Sequence, residues 1–174
     1  MAEFESAFRA TIWREGGYAN DPDDRGQETY CGISRKFWPK WDGWPLIDAV
    51  KAKNPPDIDQ ALSENRTISH SVAMFYKANF WKYDGVTDQP IAEKLFDMAV
   101  NMGSEQAHRY IQRIVEVVLD GKFGPRTLAA INAVDPHRLL FELRVSSATH
   151  YVDIMLRDPS QQKYKNGWLR RACS

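Results

Sequence analysis

From residue 67 to the C-terminus, segment after segment returns apolar side chains at the three-to-four spacing of a helix face, and this repetition constrains the fold most. Between Thr67 and Trp81 the stripe is Ile68, Val72, Phe75, Tyr76 and Phe80. After Pro90 it is Ile91, Leu95, Met98, Ala99 and Met102, ending at Gly103. Ser104 is placed to cap the next helix, whose predicted buried positions are Ala107, Tyr110, Ile111, Ile114, Val115 and Val118. Asp120-Gly121 reads as a turn, and Gly124-Pro125 opens a short helix with proline at its first position, running to Val134. Residues 136–157 predict a longer helix, and Tyr164 to Arg171 a last, basic one.

The N-terminal third is different in character. Phe4, Ala7, Phe8, Ile12 and Trp13 give residues 3–15 a helical stripe, which Gly16-Gly17 should stop by left-handed capping. Asn20 to Gly26 is dense in turn formers, and Glu28 to Ile33 is short enough for a strand, so this stretch predicts a small hairpin. Residues 34–56 mix tryptophans and prolines with a short helical pattern, and no element is assigned there. No repeat, low-complexity tract or linker interrupts the chain. The expected fold is mainly α, close to α+β, with one small N-terminal β-hairpin beside the first helix. Its 174 residues suffice for a single domain.

Composition narrows function by exclusion. Hydrophobic residues at 43% and charged residues at 26% fit a folded globule, and the zero net charge gives no electrostatic footprint for nucleic acid. Trp13, Trp38, Trp41, Trp44, Trp81 and Trp168 suit either a core or the stacking of sugar rings. Cys31 and Cys173 allow one bridge and no disulfide framework. Cys31, between Tyr30 and Gly32, reads as packed core and not as a nucleophile. Neither a signal peptide nor a membrane-spanning stretch is visible. The Asp21–Gly32 stretch fails as a calcium loop, because Arg25 takes a ligand position and Gly32 stands where a glutamate is needed. His70, His108, His137 and His150 lack zinc spacing, so no metal or cofactor is expected.

Glu15 would end the first helix, where the partial negative charge of the dipole raises a carboxyl pKa. Trp13 and Tyr18 would add desolvation. A carboxylic acid kept protonated near neutral pH is what a glycosidase needs to protonate a leaving oxygen. A hairpin leaving that helix end would fold Asp24 and Thr29 back toward Glu15, where an aspartate and a hydroxyl can hold a water. Spacing alone leaves open the plainer alternative of a solvated helix end and an ordinary turn.

Glu15-Gly-Gly-Tyr-Ala-Asn-Asp-Pro-Asp-Asp-Arg-Gly-Gln-Glu-Thr29, then Gly32-Ile33, resembles the signature of glycoside hydrolase family 108. Members of that family are N-acetylmuramidases, found as phage endolysins and as lysozyme-like secretion factors. The resemblance implies a lysozyme-like α+β fold, Glu15 as catalytic acid, Asp24 and Thr29 as its partners, and Tyr18 and Asn20 as substrate-binding residues. One departure is visible: Gln27 stands where the family has the second glycine of a pair, and a side chain resists positive φ. Further along, Asp97 and Asn101 lie one turn apart on an apolar helix. Such groups are either bonded within the core or line a cleft. The stretch resembles the family's cleft-lining helix, which implies substrate contacts for both.

Asp120-Gly-Lys-Phe-Gly-Pro-Arg-Thr-Leu128 and the closing Gly167–Arg171 run resemble predicted peptidoglycan-binding modules. Together the two resemblances run from Phe4 to Arg171, giving a catalytic half over 1–86 and a peptidoglycan-binding half over 87–174, packed as one domain. They imply an endolysin-type muramidase, with a peptidoglycan-binding accessory or secretion factor as the alternative. The implied life of such an enzyme is as a monomer in the host cytoplasm until a holin opens the way to the wall. Tyr164 and Trp168 are spaced four apart among Arg157, Lys163, Lys165, Arg170 and Arg171. That tail is expected either to tuck both rings into the core or to touch anionic membrane.

Overall fold

Polar side-chain caps start four of the α-helices, with Asp57, Asn65, Asp88 and Asp135 each accepting from an amide of the first turn. The computed structural model describes residues 1–12, 17–20 and 26–174. The expectations for Trp13, Glu15, Gly16 and Asp24 therefore lie outside the described residues. Within the described residues the chain forms nine α-helices, one 3-10 turn and a three-stranded antiparallel sheet, so the protein is mainly α with a lysozyme-like α+β character. No helix among them is long and apolar enough to cross a membrane. Two compact units divide the chain, Phe8–Trp81 and Met1–Ala7 with Lys82–Ser174.

In the unit 8–81, the sheet consists of β1 (Tyr18–Asn20), β2 (Glu28–Tyr30) and β3 (Ile33–Ser34). Tyr18 pairs with Tyr30, Asn20 with Glu28, and Thr29 with Ser34. The expected hairpin is thus present and gains a third strand. Beside it stand α2 (Gly43–Lys51), α3 (Ile58–Ser63) and α4 (Arg66–Phe80). The first two occupy or follow the stretch that sequence periodicity left unassigned. They are nine and six residues long, too short for two full repeats of a helix face. The side chain of Asp57 accepts from the Gln60 amide to start α3, and that of Asn65 accepts from Thr67 and Ile68 to start α4. The core here joins Ile33, Trp44, Ile47, Leu62 and Ile68, all essentially without solvent contact.

In the other unit, α5 (Gln89–Met102) packs with α6 (Ser104–Ile114) and α8 (Pro136–Arg157), and α8 carries the final helix α9 (Lys165–Cys173). The short α7 spans Pro125–Ala133, and a 3-10 turn, Pro159–Tyr164, leads into α9. Ile91, Leu95, Phe96, Met98, Ala107, Ile111 and Leu139 fill this core. Helix α1 (Phe4–Ile12) is shared by the two sequence ranges, with Phe4 edge-on to Phe96 at 5.8 Å.

Two boundaries differ from expectation. Ser104 does not cap α6: it is the first helical residue, and Gly103 at φ +88° turns the chain from α5 into α6 within one residue. Val118 is 70% exposed, not buried, because Glu116 takes φ +55° and ends the helix before the stripe reaches it. Tyr110, Ile114 and Val115 are correspondingly only half-buried. In the tail, Trp168 stacks on Tyr151 at 5.1 Å, while Tyr164 is left half exposed.

Candidate active site

The strands of the sheet are only two or three residues long, too short to be stable from ladder bonds alone. Tight turns and side-chain contacts position them instead. Gln27 adopts φ +54°, a left-handed conformation that a side chain resists and a glycine takes freely. Cys31 at φ +46° and Gly32 at φ +77° make the reversal from β2 to β3. Cys31 is consequently a half-buried turn residue and not packed core, and its carbonyl accepts from the Tyr76 hydroxyl at 2.7 Å. Cys31 and Cys173 form no disulfide.

Side chains alternate across a sheet. Thr29, paired with Ala19 and Ser34, therefore faces one side, while Tyr18, Asn20 and Glu28 face the other. On that second side Glu28 is a hub. Its carboxylate accepts from the Tyr18 hydroxyl at 2.8 Å, Arg35 at 2.8 Å and Lys51 at 2.6 Å. Burial pushes the Glu28 carboxyl up, but hydrogen bonds from Lys51, Arg35 and Tyr18 outweigh it and hold the group below its ordinary value. Arg35 also forks onto Asp48 of α2, with contacts of 2.8 and 2.7 Å. Tyr18 is thus tied into this cluster, its hydroxyl pKa raised chiefly by burial. Asn20 is exposed and borders a polar groove of about 450 Å³ together with Gln27, Glu28 and Arg35.

A second cavity in the same unit, about 620 Å³, is lined by Phe8, Ile12, Gly17, Tyr30 and Asp59. Ile12 and Gly17 are the residues on either side of the 13–16 segment that carries Glu15. Asp59 accepts from the Tyr18 amide at 2.5 Å, and a side chain at position 17 would collide with its carboxylate. A side chain at 17 would therefore have to displace the Asp59 carboxylate from the Tyr18 amide.

The polar stripe of α5 is internally bonded. Asn101 donates to the Asp97 carbonyl at 2.7 Å and to its carboxylate at 3.1 Å, and its own oxygen accepts from the Arg171 guanidinium. Asp97 lies 3.7 Å from Lys94, whose ammonium donates to the carbonyls of Arg171 and Ala172 at 2.7 and 2.9 Å. Burial pushes the Lys94 pKa down, with the Asp97 charge opposing. Asp97 and Asn101 thus sit together, one largely buried and one exposed, on a network that joins α5 to the end of α9.

Three participants escaped sequence reasoning: Glu28, Lys94 and Arg171. The i,i+3 spacing of Lys94 and Asp97 is a readable signal, whereas nothing in the sequence links residue 171 to residue 101. Among the described residues no group of His, Cys, Asp or Glu is arranged to hold a metal ion.

The Asp120-Gly121 turn is fastened to α6. Gln112 donates to the Asp120 carboxylate at 2.7 Å and accepts from the Gly121 amide at 2.9 Å. A ring nitrogen of buried His108, Nδ1, lies 3.0 Å from the Gly121 carbonyl, and Nε2 lies 3.1 Å from the Tyr83 hydroxyl. Since a carbonyl can only accept, the proton belongs on Nδ1 and Nε2 is the acceptor.

Comparison with known proteins agrees with this architecture. The structure of Brucella abortus SagA superposes with a TM-score of 0.64 at 22% identity, covering 98% of this chain and 89% of that one, which is a likeness of fold. None of the curated proteins matches. Residues 106–173 match the model of a predicted peptidoglycan domain. Residues 8–103, more than half of the chain and the whole span from Glu15 to Asn101, match the Glycosyl hydrolase 108 model, and the chain belongs to that glycosidase family.

Proposed function

We propose that the protein is an endolysin-type muramidase that hydrolyses the β-1,4 bond between N-acetylmuramic acid and N-acetylglucosamine. Glu15 acts as general acid and protonates the leaving oxygen as the bond to the anomeric carbon breaks. Asp24 and Thr29 orient a water for attack at that carbon, which gives inversion. Tyr18, Asn20, Asp97 and Asn101 are the residues assigned to sugar contacts, Tyr18 and Asn20 from the face of the sheet opposite Thr29. The reading takes the chain as one working domain, a monomer that acts on the wall after a holin opens the membrane, with no cofactor required.

The observation that carries it is the backbone at Gln27. The one position where the sequence departs from the family motif takes φ +54°, the left-handed region open to the glycine it replaces, two residues before Thr29. Support also comes from Ile12 and Gly17, which bring both ends of the Glu15 segment to one cavity.

Glu15→Gln tests the assignment. Clearing of purified cell walls should fall about 10²–10⁴-fold, and products of the wild type should carry new reducing ends on muramic acid. Equal clearing by both proteins would refute Glu15 as the acid. Reducing ends on glucosamine would make the enzyme a glucosaminidase, and no clearing by the wild type would favour the accessory-factor reading.

A further inference from the structure

Within the unit 8–81, the exposed large apolar side chains among the described residues are Phe37, Trp38 and Met74, at 66%, 40% and 48% exposure. All three line one groove of about 690 Å³ between the β3–α2 connection and α4. Elsewhere among the described residues of this unit large apolar groups are buried or half-buried, so their concentration here is a local feature, and such patches mark binding surfaces.

Trp38 is held in place on one wall of the groove. The Trp38 ring stands edge-on to Phe75 at 4.9 Å. The Trp38 carbonyl accepts from the Trp44 indole at 2.8 Å, and the Trp38 amide donates to the Ser34 carbonyl of β3 at 2.8 Å. Holding an aromatic surface in place lowers the entropy lost on binding. Between the rings lie polar groups. Asn79 uses its amide nitrogen on the Phe75 carbonyl, at 2.8 Å, and Asp42 accepts from Ser71 at 2.8 Å. Trp41, a buried lining residue, has an indole N–H that meets no acceptor. Lys40 is among the lining residues, and the Lys36 ammonium lies 5.9 Å from the Phe37 ring centre.

We propose that this groove binds a stretch of the peptidoglycan glycan strand beyond the bond that is cut. Hexosamine rings present C–H faces that suit Phe37 and Trp38, and acetamido and hydroxyl groups that suit Asn79, Asp42 and the unmet Trp41 donor. The lactyl and stem-peptide carboxylates of the strand complement Lys36 and Lys40. A lipid surface has no use for the hydrogen-bonding groups between the rings. The proposal rests on the wall-lytic reading for the identity of the glycan, and its test does not depend on turnover.

The full chain carrying Glu15→Gln, which leaves the wall intact, is sedimented with purified sacculi. The double substitution Phe37→Ser and Trp38→Ser should weaken association at least tenfold. Phe141→Ser with Leu156→Ser removes comparably exposed apolar groups from α8 and should leave it unchanged. Chitotetraose should perturb tryptophan fluorescence in the parent and not in the groove variant. If the serine pair unfolds the unit, Lys40→Glu provides the second reading, with weaker association expected. Equal sedimentation of parent and groove variant, or equal loss in the α8 control, overturns the proposal. So does a groove variant that keeps sacculus binding but loses binding to phosphatidylglycerol vesicles. Failure of the Glu15 assignment shows separately, as wall clearing by the Gln variant.

Discussion

Lys94 offers a demanding test of the packing described above. Its side chain is 2% exposed, and its ammonium bonds two carbonyls in the last turn of α9 while lying 3.7 Å from Asp97. Lys94→Met keeps the length and apolar stem but removes every donor. The α9 carbonyls lose a charge-assisted partner, and Asp97, with 14% side-chain exposure, loses a nearby cation. Breaking a buried pair on one side costs about 3–5 kcal/mol, and relief of the lysine's own desolvation places this case near the lower bound, about 3 kcal/mol. In a chain of this size each kcal/mol corresponds to about 2–4 °C, so Tm should fall by about 6–12 °C. Calorimetry measures that shift, and hydrogen exchange should show α9 amides losing protection before those of α5. A variant melting within about 2 °C of the wild type, with α9 still protected, would mean that the ammonium does not hold this helix.

Two further outcomes follow from titratable groups. Burial pushes the His108 pKa down, partly opposed by its bond to Gly121. The unfolded chain then binds more protons than the native one below the ordinary value near 6.5, so stability should be level above that pH. It should decline below it by up to about 1.4 kcal/mol per pH unit, as urea melts across pH 4.5–8 can show; a His108→Gln variant with the same slope would exclude this residue. Glu28→Gln should destabilise the unit 8–81 by about 2 kcal/mol through loss of charge on a part-buried acceptor. Because its carboxyl is held below the ordinary value, the stabilisation is present above about pH 4.5 and lost as pH falls, and an additive double-mutant cycle with Lys51→Met would refute the coupling.

Legibility in the sequence followed the length over which a pattern repeats. Helices α4, α5 and α8 run 15, 14 and 22 residues, enough for several turns of apolar spacing, and their positions were readable. Helix α3, at six residues, shows one buried position, Leu62, and is recognisable only through Asp57 at its cap. The end of α6 is hidden from the sequence because a single left-handed residue, Glu116, stops the helix without any glycine or proline to announce it. At the site, the motif from Glu15 to Thr29 was legible as a linear pattern, while partners distant in sequence were not. Arg171 reads as one of several basic residues in the tail, and its hydrogen bond to Asn101 depends on where α9 docks.

The two faces of the sheet explain how so short a hairpin can hold Thr29, the residue that the proposed mechanism assigns to orienting a water. The proposed role needs a fixed position, yet β2 has three residues and two neighbours of similar brevity. Fixity is supplied from behind: Glu28, adjacent in sequence and opposite in direction, is clamped by Arg35 and Lys51, and Arg35 is clamped in turn by Asp48 of α2. The cluster therefore holds the strand without occupying the face that carries Thr29. It follows that changes at Glu28 should act on catalysis through strand position, lowering turnover in step with loss of order in β2. Substitutions at Thr29 should instead lower turnover and leave the cluster and its stability contribution in place.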